Sequence, residues 1–274
     1  MSFQLKKINN EVVKPIPLPS IDPKLVKGNK LFAEIYANVF IVAKKKSGKT
    51  CTVFKIIKEC CNKDTKVVIF ASTLNKDLSF KVIRKYLENK GILYEEFTEV
   101  SAYLPAILEE IENDVDDEDN SEDEKEEEYK PKVLSFNDKE IKLKVKKRKP
   151  KYMAPQYLFL FDDISSDLRD EHLSKLVKQN RHYKSKVIIS SQYPLDLKPD
   201  ARKMIDYWLL FKGQEESKLR TLYENADLSV SFEQFYEMYK DATKEKHHFF
   251  YIDTNFDTFR KDFNFEYTLP KTEE

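Results

Sequence analysis

Glycine is almost absent from this chain, with four in 274 residues. Tight turns must therefore be made mostly by other residues, and a glycine that is kept marks a place where a Cβ is costly. One of the four, Gly48, stands directly before Lys49 and Thr50. Cysteine is scarce as well: Cys51, Cys60 and Cys61. Their odd number and spacing match no disulfide framework, zinc site or redox pair, so a reducing compartment is the simpler reading. Net charge is absent, 48 Lys and Arg standing against 48 Asp and Glu. That balance makes no overall case for nucleic acid and leaves room for a local basic surface. No apolar run is long enough to span a membrane as a helix, and residues 1–10 lack a secretory pattern. The expectation is a soluble chain, inside a cell or inside a particle assembled there.

The length suits one large domain or a domain with an appendage. Pro15, Pro17, Pro19 and Pro23 predict an extended arm over residues 1–30. Short apolar runs at 38–43 (NVFIVA), 66–71 (KVVIFA), 157–161 (YLFLF), 186–191 (KVIISS) and 207–211 (YWLLF) read as buried strands. Helices are expected at 49–61, 80–90, 101–113 and 170–180. Beyond the core, helices at 215–225 and 232–241 and a strand at 248–253 complete the pattern. An acidic tract at 114–128 and a basic one at 139–151 read as a charged insertion, with room for a hairpin over 132–145. The expected organisation is an arm (1–30), a core (31–213) interrupted by the insertion at about 114–151, and a C-terminal helical and β extension (214–274). Alternating strands and helices imply an α/β fold, a mostly parallel sheet flanked by helices on both faces.

Chemistry concentrates at strand ends. Ala43-Lys44-Lys45-Lys46-Ser47-Gly48-Lys49-Thr50 matches G-x-x-x-x-G-K-[ST] except at its first position, and it lies between a strand and a helix as that motif requires. In such a loop the amides of Lys46, Ser47, Gly48, Lys49, Thr50 and Cys51 would wrap phosphates at a helix N-terminus. Lys49 would reach the β- and γ-phosphates of ATP and Thr50 would bind Mg²⁺. A lysine-rich surface turn would have the same letters without the flanking strand and helix.

The 157–161 strand runs into Asp162 and Asp163. Asp162 is the expected Mg²⁺ ligand, and Asp163 the group that polarises attacking water. The 186–191 strand ends in Ser190, Ser191 and Gln192. If it lies between the other two, Gln192 falls beside the γ-phosphate. Arg181 is the first candidate for an arginine finger and Arg202 the second, with a surface ion pair the alternative for each.

Taken in order and spacing, AKKKSGKT, YLFLFDD and NRHYKSKVIISSQYP resemble the FtsK–HerA superfamily of P-loop motors, and within it the poxvirus-type genome-packaging ATPases of large DNA viruses and virophages. The resemblance runs from about Val39 to Gly213. It implies a P-loop NTPase fold whose additional, Gln-ended strand separates the two acidic and phosphate-loop strands. It also implies ATP hydrolysis with Mg²⁺, a homo-oligomeric ring, translocation of double-stranded DNA, and capsid or portal-vertex partners. The location implied is the host-cell interior or the virion. Lys49, Thr50, Asp162, Asp163 and Gln192 fall on the family's motif positions, and Arg181 on a recurrent arginine. Ala43 for glycine, Asp163 for the glutamate common in related motors, and the charged insertion depart from the pattern. Two other readings share the loop: a phosphotransferase, which would need a lid and an acceptor pocket, and a nucleotide-binding assembly protein without turnover.

Overall fold

The structure is a computed structural model that describes residues 8, 21–74, 77–122, 135–136, 139–140 and 152–268. In chain order the elements are β1 (Asn38–Val42), α1 (Lys49–Cys60), β2 (Lys66–Ala71), α2 (Leu78–Lys90), β3 (Tyr94–Phe97), α3 (Val100–Glu122), β4 (Ser135–Phe136) and β5 (Lys139–Glu140). There follow β6 (Tyr157–Asp162), α4 (Glu171–Lys178), β7 (Ser185–Ser191), α5 (Pro199–Arg202), β8 (Tyr207–Phe211), α6 (Glu216–Ala226), α7 (Phe232–Ala242), β9 (Phe249–Asp253), β10 (Thr258–Lys261) and β11 (Phe265–Glu266). Nine strands build one sheet in the order β11-β10-β9-β8-β1-β7-β6-β2-β3. The six strands from β8 to β3 are parallel to their neighbours, and β9, β10 and β11 add on antiparallel.

The parallel strands are apolar on both faces because both faces are covered. Along β1, Phe40 and Val42 pack into one core with α3, α4, α6 and α7, while Val39 and Ile41 pack into another with α1 and α2. Each fully buried Phe or Ile in these layers contributes about 1.5–3 kcal/mol. The two cores fix the strand register, so the C-terminal ends of β1, β7 and β6 come level: Val42 lies beside Ser191, and Ser190 beside Asp162.

Several expectations shift. The helix expected at 101–113 runs on to Glu122, so part of the acidic insertion is helical. The 132–145 hairpin is represented by the pairing of β4 with β5; the rest of the acidic and basic tracts lies outside the described residues, as do residues 1–7 and 9–20 of the arm. Pro23–Leu25 form a one-turn 3₁₀ helix followed by buried Val26, which bridges Met153. β9 begins at Phe249 rather than His248, because His248 is half-exposed and turns to Asp262.

Candidate functional site

The 43–51 loop leaves β1 and enters α1 with two residues in left-handed backbone, Lys46 (φ 63°) and Gly48 (φ 100°). The left-handed φ is what favours glycine at 48; a Cβ there would also press on the His247 ring, with Nδ1 at 3.3 Å. Gly48 is the N-cap of α1, and no side chain caps that end. Asp77, Asp170 and Ser231 do cap α2, α4 and α7. The first-turn amides of α1 are thus left to bind an anion supported by the helix dipole. Ser47 has a buried hydroxyl oxygen without a hydrogen-bond partner among the described residues. Ala43, the departure from the motif, is buried in the α1 face, and its amide donates to the Ser191 carbonyl at 2.9 Å. Its φ is not positive, so glycine is not needed there.

One crevice of about 410 Å³ gathers the 43–51 loop with Asp162, Asp163 and Gln192. Lys49 Nζ lies 3.0 Å from Asp162 Oδ1. The same oxygen accepts from Ser190 Oγ at 2.7 Å, a buried hydroxyl that β7 places beside the end of β6. Gln192 Nε2 donates to Asp163 Oδ1 at 3.2 Å. Asp163 is itself left-handed (φ 53°), and its carbonyl accepts from Ser72 Oγ. Asp162 is 6% exposed, and with Thr50 it offers oxygen donors of the kind a hard divalent cation takes. Among the described residues no cluster of three or more His, Cys, Asp or Glu forms a closed metal cage.

The expected loop and strand-end positions therefore come together, and the two arginine candidates stand apart from them. Arg181 lies before the start of β7, at the opposite end of the parallel strands, where its guanidinium pairs with Glu34 at 3.6 Å. Seven residues of strand separate it from the crevice, roughly 20 Å. Arg202 is on α5, with Nε and Nη1 buried and unpartnered among the described residues; burial first, then Arg169, pushes its pKa down. Sequence reasoning missed Thr73, Asp77 and Ser79, which close the far wall of the crevice. The one available signal was Asp77 two residues before Ser79 at a helix start, an N-cap pattern. It also missed His247, whose Nδ1 lies 3.1 Å from the Ser47 carbonyl across 200 residues of sequence.

No protein-family model matches the chain. Over 88 residues it is 28% identical to an uncharacterized protein of Acanthamoeba polyphaga mimivirus, a match covering 31% of each chain. The chain thus matches about a third of the length of that curated relative. Among solved structures, the DNA-packaging ATPase from Sulfolobus Turreted Icosahedral Virus aligns with a TM-score of 0.53 over 82% of this chain and 96% of that one, at 14% identity. The genome packaging NTPase from Sulfolobus turreted icosahedral virus 2 aligns in its AMP complex with a TM-score of 0.52, over 83% and 96% at 15% identity. Its AMPPCP complex gives 0.51 over the same shares. No helix among the described residues is long and apolar enough to cross a membrane. At such identities the likeness is one of architecture, and the architecture is the α/β fold of a P-loop NTPase, a mostly parallel sheet with helices on both faces.

Proposed function

We propose that the chain is an ATP-hydrolysing motor that moves double-stranded DNA into a preformed viral capsid, working as a homo-oligomeric ring at a capsid or portal vertex inside the infected cell. The observation that carries this is the single crevice in which Lys49, Asp162 and Gln192 meet at the ends of three adjacent parallel strands. The resemblance of the NRHYKSKVIISSQYP stretch to packaging motors, and the fold shared with two viral packaging enzymes, support the reading that the work done is DNA movement.

In this reading the amides of residues 46–51 hold the phosphates, and Lys49 leaves Asp162 to bridge the β- and γ-phosphates. Mg²⁺ would supply charge neutralisation on the phosphate oxygens, with Asp162 and Thr50 as its protein ligands. Ser190 keeps Asp162 oriented. Asp163 takes a proton from the attacking water, and Gln192 orders Asp163. Arg181, facing away from its own crevice, serves as a finger only toward a neighbouring subunit. The 139–151 basic tract, of which residues 141–151 lie outside the described residues, is the proposed contact with DNA phosphates.

ATP turnover by the wild type and Lys49→Ala, with and without double-stranded DNA and with no other acceptor, tests the reading. Turnover should rise with DNA and collapse in the variant. Turnover indifferent to DNA would remove the motor and leave an NTPase. Phosphate transfer only on adding a small acceptor would identify a phosphotransferase, and tight ATP binding without turnover in any oligomeric state an assembly protein.

A further inference from the structure

A second cavity, of about 520 Å³, opens on the other side of the phosphate loop and shares Gly48 and Cys51 with the crevice. The crevice lies toward β7 and β6; this cavity lies toward β9, walled by the 247–249 segment, the turn at 262–264 and the first turn of α1. A triphosphate whose terminal groups sit at Lys49 and Asp162 has room to lead its remaining portion away from β6, past Gly48 and Cys51, the residues common to both cavities. On the β9 side of the loop this cavity receives it.

The walls suit a flat heteroaromatic ring. Phe263 is half-buried and fixed edge-on by Phe249 (centroids 5.0 Å) and Phe32 (5.9 Å), so its ring is preorganised before any ligand arrives. The Ser47 carbonyl can only accept, so His247 must donate to it from Nδ1. That fixes the tautomer of the neutral ring and leaves Nε2 as an acceptor. Asn264, exposed in the turn, adds an amide with both donor and acceptor. Asp262 is already engaged, accepting from the Phe249 amide with one oxygen and meeting His248 with the other. It serves the wall and not the ligand.

We propose that this cavity is the nucleobase subsite of the bound nucleoside triphosphate, with Phe263 as the stacking platform and His247 Nε2 and Asn264 as the groups that read the ring edge. The His247 contact to Ser47 ties base occupancy to the shape of the phosphate loop. The proposal rests on the phosphate-loop reading above, and the test separates the two.

Calorimetric binding of ATP and of inorganic tripolyphosphate, each with Mg²⁺, is compared for wild type, Asn264→Trp, Phe263→Leu and Lys49→Ala. Asn264→Trp fills the cavity from an exposed turn; Phe263→Leu keeps an apolar side chain in place and removes the ring. Both should weaken ATP by about tenfold while tripolyphosphate stays within about twofold of wild type. Lys49→Ala should weaken both ligands. Unchanged ATP affinity in both cavity variants, or equal loss of the two ligands, would overturn the subsite and leave the phosphate loop standing. A wild type that binds neither ligand would overturn the phosphate-loop reading and the subsite together.

Discussion

Lys49 Nζ lies 3.0 Å from Asp162 Oδ1. The amine neutralises the carboxylate proposed above as the metal ligand, so in the proposed reading nucleotide and Mg²⁺ together displace this pairing. Asp162→Asn frees Lys49 from the ion pair and removes the charge that would hold Mg²⁺. ATP affinity measured with and without Mg²⁺ should improve with the ion in the wild type and be indifferent to it in the variant. If the variant gains as much from Mg²⁺ as the wild type does, the metal is held elsewhere.

Ser190 reaches the same carboxylate from the neighbouring strand, at 2.7 Å and fully buried. Through that hydrogen bond it orients Asp162, the carboxylate proposed to hold the metal. Ser190→Ala should lower kcat about tenfold, the scale of lost support behind a metal ligand, and leave KM and metal-free ATP binding near wild type. A rise in KM with kcat preserved would make Ser190 a packing residue.

Asp163 separates chemistry from fold unusually well. Its left-handed backbone (φ 53°) is one that asparagine also tolerates, and an asparagine oxygen can still accept from Gln192. Asp163→Asn should therefore melt with the wild type yet lose turnover by about 10²–10⁴-fold, the usual contribution of a general base. Turnover within a few-fold of wild type would move the base elsewhere in the crevice.

What the sequence made legible follows from how each element is stabilised. β1, β2, β6, β7 and β8 are buried on both faces, so their apolar runs declare them, and the phosphate loop and strand-end acids follow from those boundaries. β3 is an edge strand reading YEEF, only half-buried throughout, so its sequence has no apolar run to notice. β10 and β11 likewise carry charged residues, Arg260 and Lys261 pairing opposite Glu266 and Phe265. α5 is a four-residue turn begun by Pro199, too short for a helical period. The His247 contact to Ser47 depends on where β9 joins the sheet, a tertiary fact that no local pattern encodes. Arg181 precedes β7 in the sequence, but only the parallel direction of that strand reveals that it stands at the far end of the strands from its own crevice.

Glu112 on α3 ties that helix to α4 and to the entry of β7, accepting from Lys175 Nζ and from the hydroxyl of buried Tyr183. Those hydrogen bonds, Lys175 first, hold its carboxyl below the ordinary value of 4.5. A carboxyl whose folded pKa is depressed adds stability above its unfolded pKa and loses it as pH falls through the folded one. Both Glu112 and Lys175 are almost half exposed, so screening limits the pair to about 0.5 kcal/mol. Glu112→Gln should therefore lower the melting temperature at pH 7 by about 1–2 °C. The gap between variant and wild type should narrow as pH drops below 4.5, because protonated Glu112 then resembles glutamine. A gap of equal size at neutral and acid pH would mean that Glu112 acts through packing alone, and the acid sensitivity of the α3–α4 contact would have to come from another carboxylate.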